Sequence, residues 1–179
     1  MDSQKQKIRK TVKDRFSGRN PNESKAASRD IMARVEKLPQ FMESKTVALY
    51  WSAGNEVATH EFVEKWSTGK TILLPVVAGD DLVLKKFSCA EDMRCGCFGI
   101  EEPQCEEFPA EDYDRIGLIV VPGVAFDRKG HRLGRGKGFY DRLLPRIKGY
   151  KAGVCFDFQM FPEIPAEPHD ATVDRVISG

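Results

Sequence analysis

The feature that most restricts how this chain can fold is an alternation, from residue 46 onward, of strand-sized apolar runs with amphipathic stretches. Residues 46–51 read as a strand, about 59–67 as a helix and 71–74 as a second strand, the order that builds a βαβ unit. Residues 82–87, 117–121, 151–156 and 172–177 supply further strands, and 139–147 a further helix. Apolar strands linked by helices are what a parallel sheet requires, because such a sheet is covered on both faces. The alternation therefore predicts an α/β fold: three layers, α/β/α, around a mostly parallel central sheet, in a single domain over residues 1–179. Ligands in such folds sit beyond the carboxyl ends of strands, which points to the segment beginning at Val121.

Two helices precede the alternation. Ile8, Val12 and Phe16 recur every four residues and make one apolar face, with Lys5, Arg9 and Lys13 as a parallel basic row; residues 18–21 end this helix. A second helix is expected from about Glu23 to Lys37, with Asn22 as its N-cap and Ala27, Ile31, Val35 and Leu38 inward. Residues 88–114 carry nine acids against one arginine, and read as an irregular surface segment.

Composition narrows the function classes. With 41% hydrophobic residues the chain can build a core, and with 28 Lys+Arg against 27 Asp+Glu it lacks the global positive charge of a generic nucleic-acid binder. The balance hides segregated blocks: residues 1–38 hold 11 bases and 5 acids, and residues 127–151 hold 9 bases and 2 acids. Five cysteines without even spacing make a poor disulfide framework. The charged start MDSQKQKIRK does not resemble a secretory signal, and no apolar run reaches the ~18 residues of a membrane span. A reduced, cytoplasmic protein is expected.

Residues Gly134-Arg135-Gly136-Lys137-Gly138-Phe139-Tyr140-Asp141 carry the strongest chemical signal, because they lie after a strand and before a helix. Alternating glycines let backbone amides approach an anion, the helix N-terminus adds positive potential, and Arg132, Arg135 and Lys137 add charge. Locally, a phosphate cradle and a basic flexible turn fit equally well. The spacing is neither that of a Walker A loop nor the GxGxxG fingerprint. Asp141 is either a first-turn acid favoured by the helix dipole or a Mg²⁺ ligand, and the second role needs another carboxylate. Lys5 and Arg9, at i and i+4, form a solvated face or a polyphosphate clamp. Glu56, in the turn after the first strand, binds polar N–H groups of a ligand or caps the helix at Thr59. Cys89, Cys95, Cys97 and Cys105 match no common zinc spacing, and His60, His131 and His169 stand singly with no nucleophile signature.

Together these segments resemble the 5-formyltetrahydrofolate cyclo-ligase family over nearly the whole chain. The resemblance rests on Lys5-x-x-x-Arg9, Asn55-Glu56-Val57-x-Thr59, Gly99-Ile100-Glu101-Glu102-Pro103, Val121-Pro122-Gly123-Val124-Ala125-Phe126-Asp127, the loop Arg132 to Asp141, and Glu167-Pro168-His169-Asp170 with Val173-Asp174. It implies that ATP is contacted by Lys5, Arg9, Arg132, Leu133, Gly134, Arg135, Gly136, Lys137, Gly138, Phe139 and Tyr140. It also implies a folate site at Trp51, Glu56 and residues 135–139, Mg²⁺ held by Asp141 and Asp170, and Arg135 and Lys137 as the catalytic charges. Where relatives usually carry tyrosine, this chain has Phe139, which keeps the ring and lacks the hydroxyl. The expected partners are ATP and 5-formyltetrahydrofolate, with neither nucleic acid nor membrane. On the loop alone, a nonenzymatic nucleotide- or RNA-binding module would also fit, as would an isomerase or CoA-transferase-like enzyme on a similar scaffold.

Overall fold

The computed structural model describes residues 2–96 and 99–179, so Cys97 lies outside it. Helix α1 (Asp2–Ser17) is followed by α2 (Pro21–Glu36) and the short α3 (Pro39–Glu43). Helix α2 starts earlier than the periodicity predicts. Pro21, which the sequence reading places in the preceding turn, occupies its first turn, and Asn20 rather than Asn22 is the cap, its side-chain oxygen accepting the Asn22 N–H at 2.9 Å. Proline suits that position because its missing N–H would have no helical partner there.

Strands β1 (Thr46–Ala48), β2 (Thr71–Ala78), β3 (Asp81–Lys86), β6 (Ile116–Pro122), β9 (Tyr150–Cys155) and β10 (Arg175–Ser178) form the central sheet, in the order β10-β9-β6-β1-β2-β3. Every neighbouring pair is parallel except β2–β3. That pair is a tight hairpin, since the two residues between its strands cannot span a crossover. Helix α4 (His60–Ser67) joins β1 to β2.

Alternate side chains of the middle strands go to opposite faces, and both faces are dry. Val47, Leu49, Ile72, Leu74, Leu118 and Val120 pack with Ile31, Met32 and Val35 of α2, Phe41 of α3, and Phe62 and Val63 of α4. Ala48, Leu73, Ile119 and Val121 pack with Tyr113, Leu143, Leu144 and Ile147 on the other side. Each large aliphatic side chain so buried contributes roughly 1.5–3 kcal/mol. Three layers result, as the alternation predicts.

Helix α1 reaches this sandwich through Phe16 near its C-terminal end, whose ring lies 5.8 Å from that of Phe156, while the rest of its apolar face packs elsewhere. Its Val12 and Ile8 pack on Ala125, Leu133 and Ile164, so it rides on a two-stranded ribbon of β7 (Ala125–Phe126) and β8 (Arg132–Leu133). The segment predicted as loop 127–138 therefore contains a strand. Residues 88–114 also depart from expectation. They contain the hairpin β4 (Met93–Cys95) and β5 (Glu101–Pro103) and a 3-10 helix at Ala110–Arg115, and bury Met93, Phe108 and Tyr113. Isolated large side chains do this without a periodic pattern. The Tyr113 hydroxyl accepts the Leu84 N–H at 3.3 Å, satisfying a backbone donor on β3.

After Gly138 the α-helix α5 runs only from Phe139 to Leu143 and tightens into a 3-10 turn at Leu144–Arg146, where Pro145 cannot continue the α-helical ladder. The predicted helix 139–147 is thus half its expected α-helical length, and its dipole adds little. Among the described residues no helix is long and apolar enough to cross a membrane.

Candidate active site

In the sheet order, β1 leads outward to β2 and β3, and β6 leads the other way to β9 and β10. The chain direction across the sheet reverses between β1 and β6, so the loops leaving these two strands diverge, and it is at such a divergence that open α/β sheets offer a crevice to ligands. The β1 loop carries Trp51 and Glu56; the β6 loop carries residues 123–138.

Glu56 and Arg135 bridge that crevice. Arg135 Nη2 donates to Glu56 Oε1 at 2.8 Å, and the Ala53 N–H donates to Glu56 Oε2 at 2.9 Å. Glu56 therefore closes its own turn and reaches across the site; at Thr59, the other role open to it, the N–H donates instead to Ser52 Oγ at 3.1 Å. Burial raises the Glu56 carboxyl above its ordinary value, against the opposing pull of the Ala53 N–H and Arg135. Tyr140 lies near this pair and is half-buried. Burial first, and then the charge of Glu56, push its hydroxyl far up, so it stays a neutral donor.

Arg132 is buried, with 4% of its side chain exposed, and its Nη2 donates to Asp141 Oδ1 at 3.0 Å. The guanidinium sits 5.3 Å from the Tyr140 ring centroid, and its Nε–H has no acceptor among the described residues. Leu133 is buried under α1, and its carbonyl accepts the Val124 N–H. Arg135, Gly136 and Lys137 form the exposed crest of the loop. Gly138 has φ +68°, and a side chain there would also press on Arg142, so glycine is required where the chain turns into α5. Arg142 lies 5.6 Å from the Phe139 ring centroid and donates to Asp81 at 2.8 Å and to the Lys137 carbonyl at 3.2 Å, which ties the loop's exit to the β2–β3 hairpin.

The basic row on α1 splits. Arg9 Nε donates to the Gly134 carbonyl at 3.0 Å, with its guanidinium beside Gly136, and Lys5 Nζ donates to Asp170 Oδ2 at 2.8 Å and Glu167 Oε2 at 3.2 Å. Lys13 stays exposed. One helix face thus touches both the glycine loop and the acid segment 167–170. Burial alone would raise the Asp170 carboxyl; the Lys5 and Glu167 N–H hydrogen bonds outweigh it and hold it low. The Ala171 N–H donates to Asp141 Oδ1 at 3.2 Å, so the two acids expected to hold a metal lie in one neighbourhood.

Their donor chemistry fits Mg²⁺. Hydrogen bonds engage Oδ1 of Asp141 and Oδ2 of Asp170, so that among the described residues one hard oxygen on each carboxylate takes no hydrogen bond, that of Asp170 facing His169 Nε2 at 3.6 Å. Glu167, His169 and Asp170 also bring ligand atoms within 4.8 Å of one another.

Trp51 is buried. It stacks on His60 with ring centroids 3.8 Å apart and lies 5.5 Å from Phe87, and its Nε1–H donates to Glu101 Oε2 at 2.9 Å. That bond pins it to the β4–β5 hairpin. Cys89, Cys95, Cys105 and Cys155 are free thiols. Reasoning from sequence passed over Glu101, Asp127 and Glu167. All three stand in the motifs that carry the family resemblance, and only their three-dimensional partners give them roles.

A model described as the 5-formyltetrahydrofolate cyclo-ligase family matches residues 1–179. The 5-formyltetrahydrofolate cyclo-ligase of Escherichia coli (strain K12) is 27% identical over 174 residues, covering 93% of this chain and 96% of that protein. The Mycolicibacterium smegmatis protein of the same name is 34% identical over 145 residues, covering 76% and 75%. Among solved structures, the 5,10-methenyltetrahydrofolate synthetase of Aquifex aeolicus superposes with a TM-score of 0.86 at 36% identity, covering 97% of this chain and 89% of that one. The Mycoplasma pneumoniae synthetase, at 24% identity and a TM-score of 0.76, shares the fold. With a family model matched over the whole chain and solved relatives that share its sheet, this protein belongs to the 5-formyltetrahydrofolate cyclo-ligase family.

Proposed function

We propose that this protein converts 5-formyltetrahydrofolate to 5,10-methenyltetrahydrofolate, using ATP in the presence of Mg²⁺ and releasing ADP and phosphate. The observation that carries the reading is the Arg135–Glu56 bridge, which brings the basic glycine loop to the carboxylate on the opposite wall of the crevice. A nucleotide held by the loop and a folate held at Glu56 would meet there.

A formamide oxygen is a poor leaving group. Transfer of the γ-phosphoryl group to the formyl oxygen gives ADP and an iminium phosphate. The neighbouring folate nitrogen then attacks the formyl carbon with loss of its proton, and the carbon–oxygen bond breaks to release phosphate. No enzyme nucleophile is needed, consistent with a crevice lined by charges. The protein's work is alignment of two substrates and stabilisation of charge on the transferring group. Arg135 and Lys137 lie on the exposed crest and act on that charge. Lys5 and Arg9 hold the phosphate chain from the side of α1, and Glu56 accepts N–H groups of the pterin. Asp141 and Asp170 would hold Mg²⁺, which supplies neutralisation of phosphate charge.

The test mixes the purified chain with 5-formyltetrahydrofolate and Mg·ATP and follows the near-ultraviolet absorbance of the methenyl product. An ATP-dependent rise is expected. Its absence, with folded protein, would refute the proposal.

A further inference from the structure

The segment that carries Glu167 and Asp170 is tied at both ends to one turn, residues 127–131. Asp127 is fully buried at that turn. Its Oδ1 accepts the backbone N–H groups of Lys129 at 2.9 Å and His131 at 3.0 Å. Its Oδ2 accepts the His131 ring Nδ1–H at 2.9 Å and the backbone N–H of Ile164 at 3.0 Å. Farther along, the Val173 N–H donates to the Gly130 carbonyl at 2.9 Å, and a Cβ on Gly130 would collide with the Val173 carbonyl oxygen. Glu167 and Asp170 thus hang between two anchors, Ile164 and Val173. The same turn runs directly into β8, whose Arg132 holds Asp141.

A buried carboxylate with four donors is far stronger glue than a turn requires. A two-residue Asx turn would need one of those bonds. Burial alone would raise the Asp127 carboxyl, and the Ile164 N–H, the His131 ring and the turn amides outweigh it, so the group stays charged. The Oδ1 bonds shape the turn, and the bond from Ile164 to Oδ2 leaves it for the acid segment.

We infer that Asp127 is a positioning residue that fixes the segment bearing Asp170 against the strand bearing Arg132, and so sets the separation of the two acids that face Mg·ATP. It touches no reacting atom. The inference rests on the ATP and Mg²⁺ reading above.

Asp127→Asn separates the two functions of the side chain. Asparagine keeps one oxygen, which satisfies the two turn amides, and turns its NH₂ toward the Ile164 N–H, where two donors oppose each other. Calorimetric titration of Mg·ATP into the full chain without folate reads binding without turnover. Asp127→Asn is expected to weaken Mg·ATP binding about tenfold or more, as loss of an outer-shell partner typically does, while affinity for 5-formyltetrahydrofolate stays within about twofold. A folded Asp127→Asn variant that binds Mg·ATP like the wild type overturns the inference and leaves the functional proposal standing; a wild type that does not bind Mg·ATP overturns both. If Asp127→Asn does not fold, Ile164→Pro removes the donor to Oδ2 with Asp127 intact. It must show the same selective loss, and unchanged Mg·ATP affinity in that variant overturns the inference equally.

Discussion

Arg135 and Glu56, 79 residues apart in the chain, meet at 2.8 Å across the crevice, and they do so unequally. The glutamate side chain is 21% exposed and held by the Ala53 N–H; the arginine is 61% exposed. A pair with one partner so exposed is worth about 1 kcal/mol or less. Under the proposed function, Arg135 would trade Glu56 for a phosphate at little cost, while Glu56 would stay in place to receive the second substrate.

Glu56→Gln is expected to separate stability from activity. Because burial raises the Glu56 carboxyl above 4.5, folding favours its protonated form; that contribution is present below about pH 4.5 and lost as pH rises through the folded value. At pH 7 the variant should therefore melt at the wild-type temperature or above it, with the difference shrinking in acid. The efficiency kcat/KM for the folate should fall about 10- to 100-fold, the worth of one charged hydrogen bond. A large drop in melting temperature at pH 7 would contradict this.

Lys137→Ala should lower kcat by about 10²-fold or more, as loss of one transition-state contact does, with folate binding changed far less. Steady-state kinetics of the methenyl product checks it. Full activity would remove Lys137 from the catalytic set.

Asp141→Asn and Asp170→Asn should each raise the Mg²⁺ concentration required for half-maximal activity, because each removes a charged oxygen donor. Titration of Mg²⁺ at fixed ATP measures this. An unchanged requirement in both variants would refute the metal assignment.

Asp127 predicts the shape of acid unfolding. Its depressed carboxyl contributes stability that is present above the unfolded value of about 3.9 and is lost as pH falls through the folded one. Urea unfolding between pH 6 and pH 2 should show a shallower acid decline in Asp127→Asn than in the wild type. Equal slopes would mean that the carboxyl is not depressed.

Glu101→Ala should cost about 1–2 kcal/mol, since the indole N–H of buried Trp51 loses its acceptor. Chemical unfolding measures the loss. A change below about 0.3 kcal/mol would show that water replaces the carboxylate freely.

Much of the fold is legible because burial on two faces leaves a local trace. Val47, Leu49, Ile72 and Leu74 need only their own neighbours to read as strands between helices. Tyr113 and Phe108 leave none, since each fills one place in the core from within an acidic stretch. The site divides in the same way. The glycine spacing of residues 134–138 marks a turn locally, one that suits an anion loop and a basic flexible turn alike, and Lys5 with Arg9 marks a helix face. Whether that face is solvated is decided by Asp170, 165 residues away, and Gly134, 125 away, which no local pattern encodes. The paired acids Asp141 and Asp170 are legible only through family resemblance, because the Ala171 N–H that joins their neighbourhoods is a product of the fold. The short α5 follows from Pro145, and the antiparallel β3 from a connection too short for a crossover; apolar runs alone signal neither.

The acidic stretch beyond β3 also guards the sheet's border. Strand β3 is the outermost strand on its side, and an outermost strand offers open amides to any other extended chain. Here the Phe108 N–H donates to the Leu84 carbonyl at 2.7 Å, Lys85 bridges to Glu107, and the Leu84 N–H is taken by Tyr113. The opposite border, β10, is only four residues long. A strongly acidic segment thus serves as a selvedge, denying a second copy of the chain the foothold from which fibrous stacking would begin.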